Sequence, residues 1–371
     1  MPAEIAVLLL IAATAVLASI ATWQVTSRRH RRQAAADRIT RPVASASQRV
    51  AVVINPIKAQ AAEAEAALTA ACEMAGWEPP LVFETTVESP GYRQAQDALA
   101  AGADVVLAAG GDGTVREVAR ALAHQRAAMG LLPLGTGNLL ARNLGVAVND
   151  LSGSIQAALH GSERRIDMGR VELENARTGA RSASNFLVMG GIGLDAEVIA
   201  ATRDDLKRRV GWLAYSEAGI RLLPGPRRRM RIQLDGAPGQ VRKVRSVLFA
   251  NTGKLPAGID FIPTAALDDG MLDIVVLTPR TVLGWLAVAG KVVTRNRREI
   301  SLIEYTRARK VTVSTEEPII TQLDGDLTGA ATRVSVSVDP RSLLVRAPDA
   351  ETGPAAVGGG RTGAFRRFGA A

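Results

Sequence analysis

The chain has 371 residues, 47% apolar and 22% charged, which fits one large or two medium folded domains rather than a disordered chain. One cysteine excludes an intramolecular disulfide, and three scattered histidines exclude a Cys/His zinc cage. The net charge of +9 would suit a nucleic-acid partner, but a net charge of +5 lies in residues 1–49. Only 4% of residues are aromatic, too few to stack on the bases of single-stranded nucleic acid. We therefore predict no nucleic-acid binding.

An uncharged apolar segment, residues 5–25, precedes the basic run RRHRR at 28–32. As a helix it would be roughly 31 Å long, about the thickness of a bilayer core. Positive charge after the segment predicts a signal-anchor with the protein body on the cytoplasmic side of a membrane. A cleaved secretory signal is the alternative, because residues 19–21 resemble a cleavage site, but such signals carry their charge before the apolar stretch. We predict a transmembrane signal-anchor at 1–27 and a basic linker at 28–48.

From residue 49 onward, β-branched apolar runs alternate with helical segments, which predicts an α/β domain with a parallel sheet over residues 49–163. The predicted strands are 49–54, 81–85, 104–109 and 130–132, and the predicted helices are 59–76, 91–101, a helix from 114, and 139–144. Ligands of such sheets bind at the carboxyl ends of the strands.

Two glycine turns follow adjacent strands of this domain: GGDGT at 110–114 and PLGTGN at 133–138. Glycines allow close approach to a ligand, and the amides that open a helix bind anions. An acidic residue beside phosphate needs a cation, so Asp112 indicates Mg²⁺ or a proton-accepting role; a tight turn with an Asp helix cap is the alternative. Neither turn fits the Walker or the dinucleotide pattern.

Short strands dominate the chain after residue 164 and predict a carboxy-terminal β-sandwich-like domain over 164–348, whose last strand could return to the first domain. The predicted strands are 170–173, 186–189, 230–234, 246–250, 272–277, 310–314, 319–323 and 333–338, with helices at 195–203, 211–223 and 281–296. We expect the active site in the cleft between the two domains, and a disordered tail at 349–371.

These motifs together resemble the diacylglycerol/sphingosine-type lipid kinase family. The resemblance rests on NP at 55–56, both glycine turns, GLDA at 193–196, GWLAY at 211–215, PTAALDDGMLD at 263–273 and LDGD at 323–326, and it covers roughly residues 49–347. It implies ATP-dependent phosphorylation of a lipid hydroxyl, with diacylglycerol, giving phosphatidic acid, as the first choice.

Carried over residue by residue, the resemblance and the two turns predict an ATP site, a structural Mg²⁺ site and a general base. The ATP site comprises Asn55, Thr85 or Thr86, Gly110, Gly111, Asp112, Gly113, Thr114, Glu117, Gly135, Thr136 and Asn138. Asp269, with backbone oxygens of Ala266 and Met271, would hold Mg²⁺. Asp326 would be the base on the lipid hydroxyl, with Asp112 as the alternative.

The sequence departs from the family pattern at three places. Lys58-Ala59 replaces Ser-Gly, although Lys58 could itself reach a phosphate. Leu139 stands where bacterial diacylglycerol kinases usually have Asp, and this is closer to the sphingolipid-kinase branch. Asp326 replaces Glu and is shorter by one methylene.

These departures leave other functions open: a kinase of a sphingoid, ceramide-like or other neutral lipid, an NAD kinase-like enzyme with a soluble substrate, or an inactive nucleotide- or lipid-binding regulator. A DNA-binding protein is the weakest alternative, because no helix-turn-helix or finger pattern occurs.

Three basic clusters lie at 207–209, 227–231 and 295–298. They either form ordinary solvated surface or attract an anionic membrane surface. The predicted partners are thus the lipid substrate and that surface. The oligomeric state is open, with a homodimer as one alternative.

Overall fold

The computed structural model describes residues 47–175, 178–193, 226–255, 259–262, 264–294 and 300–349. Several predicted features lie outside these residues: the transmembrane segment, nearly all of the linker, the helices at 195–203 and 211–223, two of the three basic clusters, and the tail after 349. Within the described part of the chain, no helix is both long and apolar enough to cross a membrane.

The first domain is a parallel four-stranded sheet with helices on both faces. Its strands are β1 (Val50–Ile54), β2 (Leu81–Glu84), β3 (Val105–Gly110) and β4 (Ala128–Pro133), in the order β2-β1-β3-β4. Its helices are α1 (Ala61–Met74), α2 (Tyr92–Ala100), α3 (Asp112–Leu122), α4 (Leu139–Asn143) and α5 (Leu151–His160).

Burial on both faces explains why these strands are continuous apolar runs. One face of β1 and β3 packs with α1 and α5, for example through Leu68 and Leu159. The other face packs with α2 and α3, for example through Ala95 and Val118. The helix α5 is absent from our sequence prediction.

The second domain is antiparallel and rich in strands. Its elements are β5 (Ser162–Asn175), β6 (Arg181–Phe186), β7 (Met189–Gly193), β8 (Arg228–Leu234), β9 (Gln240–Val244), β10 (Ser246–Ala250), β11 (Lys254–Leu255), β12 (Ile259–Asp260), β13 (Leu272–Leu277), α6 (Val282–Val293), β14 (Ile303–Ala308), β15 (Lys310–Leu323) and β16 (Asp326–Ala347).

A shared apolar core, contributed by β5 to β10 and β13 to β16, gives this domain its β-sandwich-like character. The strand β10 is buried along its whole length, because Val247 and Phe249 face that core while Leu248 and Ala250 face α6. The buried pattern of β10 therefore reflects packing on both of its faces.

One strand joins the two domains. The strand β16 pairs antiparallel with β15 and β5 along most of its length, and near its end Val345 pairs in parallel with Met129 of β4. The two sheets are therefore continuous in the order β14-β13-β10-β7-β15-β16-β4-β3-β1-β2.

The predicted strand 186–189 is wrong in its bounds. β6 ends at Phe186, β7 begins at Met189, and the amides of Leu187, Val188 and Met189 donate to the carboxylate of Asp324. These amides are thus unavailable to a neighbouring strand, so the chain leaves β6 and bends there.

Two further predictions need correction. The predicted strands 310–314 and 319–323 are parts of one strand, β15, whose pairing with β16 shifts register between Ser314 and Ile319, around Pro318. The helix α3 starts at Asp112 rather than at Thr114, because the carbonyl of Gly111 already accepts the amide of Val115.

Candidate active site

The two glycine turns touch each other at the carboxyl edge of the parallel sheet. A Cβ on Gly135 would lie 2.6 Å from the Cα of Gly111, closer than real Cβ atoms approach. The amide of Leu134 donates to the carbonyl of Gly110. Only glycine therefore fits at position 135, and the two turns present their backbones as one surface.

Asp112 holds the two turns together. Its Oδ2 accepts from the amide of Asn138 at 2.9 Å, and its Oδ1 accepts from the amide of Leu139 at 2.6 Å. Burial raises the pKa of Asp112 from 3.8 to about 6; the two amides oppose this rise, and the charges of Asp324 and Asp326 add to it. The carboxylate is therefore a half-buried, partly uncompensated negative charge at the start of α3.

Asn138 fixes the shape of the second turn. Its backbone is left-handed, with φ of 48°, and its side chain is buried. The side-chain amide forms two hydrogen bonds with Gly135: Oδ1 accepts from the amide at 3.0 Å, and Nδ2 donates to the carbonyl at 2.6 Å. Asn tolerates this backbone conformation better than other non-glycine residues do.

Asp326, the predicted base, comes from the second domain and lies against the first turn of α3. A Cβ on Gly113 would be 3.2 Å from Asp326 Oδ2. Arg116 Nη2 donates to the same oxygen at 2.9 Å, and Nη1 donates to the carbonyl of Leu323 at 2.9 Å. The Arg116 side chain is 13% exposed and that of Asp326 is 48% exposed, so the carboxylate still reaches solvent.

Asp324 anchors the hairpin that carries Asp326. It is buried, and its carboxylate accepts the amides of residues 187–189 at 2.9 to 3.0 Å. Burial raises the pKa of Asp324, while the Arg116 charge and the three amides oppose the rise. This dense set of donors keeps the hairpin in place beneath Asp326.

Other predicted ATP residues lie around the same edge. The carbonyl of Asn55 accepts from the amide of Lys58 at 3.1 Å, and a Cβ on Gly111 would lie 3.9 Å from Lys58 Nζ. Thr85 and Thr114 are buried, and the amide of Thr85 donates to the last residue of β1.

Two predicted ATP residues differ from this group. Thr136 is exposed at the tip of the second turn. The carboxylate of Glu117 accepts from Arg120 Nη2 at 2.6 Å, and the Arg120 guanidinium lies 3.7 Å from the centroid of the Tyr92 ring. The carboxylate of Glu117 therefore forms an ion pair with Arg120.

The predicted metal residues form their own polar cluster in the loop before β13. Asp269 Oδ1 accepts from the amide of Met271 at 3.0 Å, and Oδ2 is bonded to Arg307. Among the described residues, no group of three or more Asp, Glu, His or Cys side chains forms a metal cage. A cation here would depend on Asp269, backbone carbonyls and water.

Two buried acids surround this loop. Asp167 accepts the amides of Gly270 and Arg341, each at 2.7 Å. Burial raises the pKa of Asp167, and it raises the pKa of Asp273 to about 6; the negative charge of Asp269 adds to both shifts. The cluster thus carries more negative charge than Arg307 offsets, and its oxygen donors suit a hard divalent cation.

Sequence reasoning missed Arg116, Asp167, Asp324 and Arg307. A signal existed for Asp324, because it lies within the LDGD motif. The partners of the other three are 38 to 210 residues away along the chain, so no local pattern marks them.

Comparisons with known protein families match both parts of the chain. Residues 49–171 match the diacylglycerol kinase catalytic domain. Residues 189–347 match the YegS C-terminal NAD kinase beta sandwich-like domain.

Among individual proteins, the diacylglycerol kinase of Bacillus subtilis strain 168 is 30% identical over 260 residues, covering 69% of this chain and 82% of that protein. A Pseudomonas aeruginosa (strain PAO1) protein named "Probable lipid kinase YegS-like" is 32% identical over 313 residues, covering 81% of this chain and 94% of that protein. The crystal structure of a diacylglycerol kinase from Bacillus anthracis shares the fold, with a TM-score of 0.61 and 19% identity over 82% of this chain and 98% of that one.

Proposed function

Because the chain belongs to the diacylglycerol kinase-type family of lipid kinases, we propose that it transfers the γ-phosphate of ATP to a hydroxyl group of a membrane lipid, with diacylglycerol as the first choice. The enzyme is a phosphotransferase, and its relatives imply the use of ATP. A sphingoid or ceramide-like lipid remains the alternative acceptor. The observation that carries the proposal is the contact between the two glycine turns, with Asp326 of the second domain lying against them.

ATP binds through backbone amides in this proposal. The helix α3 has 11 residues, and its amino-terminal amides at 111–114 combine with the helix dipole to favour a phosphate group. Lys58 Nζ adds a positive charge beside Gly111. Thr136 and Asn55 lie at the rims of the same edge, where they can contact the rest of the nucleotide.

Mg²⁺ supplies charge neutralisation on the phosphates when it is bound. A structural Mg²⁺ would be held by Asp269 with the backbone oxygens of Ala266 and Met271, which have the oxygen chemistry that this ion prefers, and Arg307 offsets part of the charge of Asp269. Asp112 keeps lone pairs free after accepting two amides, so its charge also favours a cation beside the phosphates.

Asp326 orients the acceptor hydroxyl and takes its proton. Its Oδ2 lies over Gly113 of the first glycine turn, and its carboxylate is half exposed. Arg116 holds one of its oxygens and leaves the other for the substrate. One carboxylate is enough for this role, because phosphoryl transfer depends mainly on positioning and charge stabilisation.

The predicted membrane anchor at 1–27 and the cytoplasmic location of the catalytic body are part of the same proposal. An anchored enzyme meets a membrane lipid without leaving the bilayer surface. Deleting residues 1–48 should move the chain out of the membrane fraction while it still phosphorylates lipid dispersed in detergent. Release of the full-length chain from membranes by a carbonate wash would contradict the anchor.

The purified full-length chain with Mg-ATP should phosphorylate a lipid of a panel containing diacylglycerol, ceramide and sphingosine, with products identified by mass spectrometry. Asp326→Asn should lose transfer, while Asp97→Asn, a change to an exposed acid on α2, should retain it. Phosphorylation of NAD but no lipid would overturn the proposal, and nucleotide binding without any turnover would favour a regulator.

A further inference from the structure

The helix α6 is apolar on all of its sides. Its 12 residues, VLGWLAVAGKVV, contain a single charged side chain, that of Lys291. A helix that is apolar all round is normally buried all round, either in a protein core or in lipid. The composition of α6 therefore predicts apolar surroundings on every side of the helix.

The second domain covers only one side of α6. Trp285, Val288 and Val292 form one stripe of the helix, since they lie three and four positions apart. This stripe packs against a core that includes Leu248 of β10 and Val275 of β13. The opposite side of α6 therefore points away from the sandwich.

That opposite side is open to solvent. Leu283 is 78% exposed and Leu286 is 50% exposed, and a Cβ added to Gly290 would meet no atom within 4 Å. Within the part of the chain that the structure describes, no element covers the resulting apolar surface, the α6 face, which consists of Leu283, Leu286, Ala287 and Gly290. A contiguous exposed apolar surface of this kind marks an interaction site.

The sequence around the α6 face is basic. Residues 280–298 contain five basic residues and no acidic one: Arg280, Lys291, Arg295, Arg297 and Arg298. Arg280, just before the helix, is exposed, and Lys291 lies in its last turn. An apolar helix face with cations at both ends is typical of helices that lie in the interface of a bilayer containing anionic lipids.

We propose that the α6 face docks on an anionic membrane surface, with Leu283 and Leu286 entering the lipid interface and the neighbouring cations contacting phosphate headgroups. The helix is roughly 18 Å long, shorter than a hydrocarbon core of about 30 Å, so it lies in the plane of the membrane. An interfacial helix of this size binds reversibly, so docking orients an anchored chain rather than holding it on the membrane by itself.

A second copy of the chain fits the α6 face less well than a membrane does. A symmetric dimer through this face would bring the same patch of both copies together. The basic residues at its two ends would then face like charges, with no acid in residues 280–298 to offset them. Charge complementarity therefore favours anionic lipid as the occupant.

The test places a fluorophore on the α6 face of the full-length chain. Leu283→Cys is labelled with nitrobenzoxadiazole and mixed with vesicles of phosphatidylcholine and phosphatidylglycerol, with and without spin-labelled lipid. Cys72 is the one native cysteine; it is buried, and burial raises the pKa of its thiol, so it stays unlabelled. Met74→Cys at the end of α1 is the matched control, because Met74 is also apolar and is 81% exposed.

Vesicles should shift the emission of the label at 283 to shorter wavelength, and spin-labelled lipid should quench it, while the label at 74 should show neither effect. Fluorescence lifetimes of the label at 283 give the ratio of inserted to free helix. Arg280→Gln should lower this ratio about fivefold, because it removes one cation near the surface. Arg93→Gln, a change to an exposed cation on α2, should leave the ratio unchanged.

Unchanged emission at 283, or equal changes at 283 and 74, would overturn the inference. Emission at 283 that is already shifted without vesicles would also overturn it. A shift that grows with protein concentration would identify a second copy as the occupant, and a shift independent of concentration would identify another segment of the same chain. Because the label reports binding rather than turnover, the result does not depend on whether the chain phosphorylates a lipid.

Discussion

Asp112→Asn should separate the charge of Asp112 from its contribution to the fold. Asn is nearly isosteric with a protonated Asp, and it can still accept one of the two amides that Asp112 accepts, from Asn138 or Leu139. The variant should therefore fold, but it lacks the negative charge that we propose favours the cation beside the phosphates. We expect phosphoryl transfer to fall by about a hundredfold or more, a loss typical of removing one electrostatic group.

The magnitude of the stability effect follows from the pKa of Asp112. The native pKa is about 6 against an ordinary value of 3.8, so between these values the native protein keeps a proton that the unfolded chain has released. Stability therefore falls as the pH rises through this window and is constant above it. The loss amounts to about 2 kcal/mol between about pH 4.5 and about pH 7.5.

Urea unfolding of both proteins at these two pH values measures this effect. The Asn variant lacks the titration of Asp112, so it should gain about 2 kcal/mol relative to wild type between the lower and the higher pH. Asp273, whose pKa is also about 6, titrates in both proteins and cancels in the comparison. A difference between the two proteins that does not change with pH would refute the raised pKa, and full activity of the variant would refute the role of the charge.

Three further predictions concern the surroundings of Asp112. Gly135→Ala should weaken ATP binding and raise the KM for ATP by about tenfold or more. The new Cβ would lie 2.6 Å from the Cα of Gly111 and push the two turns apart. An unchanged KM would contradict this contact. Asp324→Ala should lower the free energy of unfolding by about 3 kcal/mol in urea titrations, because it leaves three backbone amides without their acceptor. A loss under about 1 kcal/mol would contradict the anchoring role of Asp324. Arg116→Gln should lower kcat and leave the KM for ATP unchanged, because it releases Asp326. In a double-mutant cycle with Asp326→Asn, the effects of the two substitutions on kcat should not add. Additive effects would show that the pair does not act together.

The parallel sheet and the two glycine turns could be predicted from sequence because their determinants are local. Apolar runs such as β1 and β3 alternate with helices, and the glycines of GGDGT and PLGTGN mark the turns directly. Strand ends in the second domain were harder to predict. The bend at 187–188 depends on Asp324, which lies 137 residues from Leu187 along the chain.

The sequence by itself determined the order of elements in the first domain, the two phosphate-type turns and the acidic residues near them, because short-range patterns encode all three. Tertiary structure alone decided that Arg116 pairs with Asp326 and that Asp112 joins both turns. Such contacts join residues distant in sequence, and they depend on how the domains pack and on how much water is excluded. For the same reason the raised pKa of Asp112 could not be predicted, because its main cause is burial.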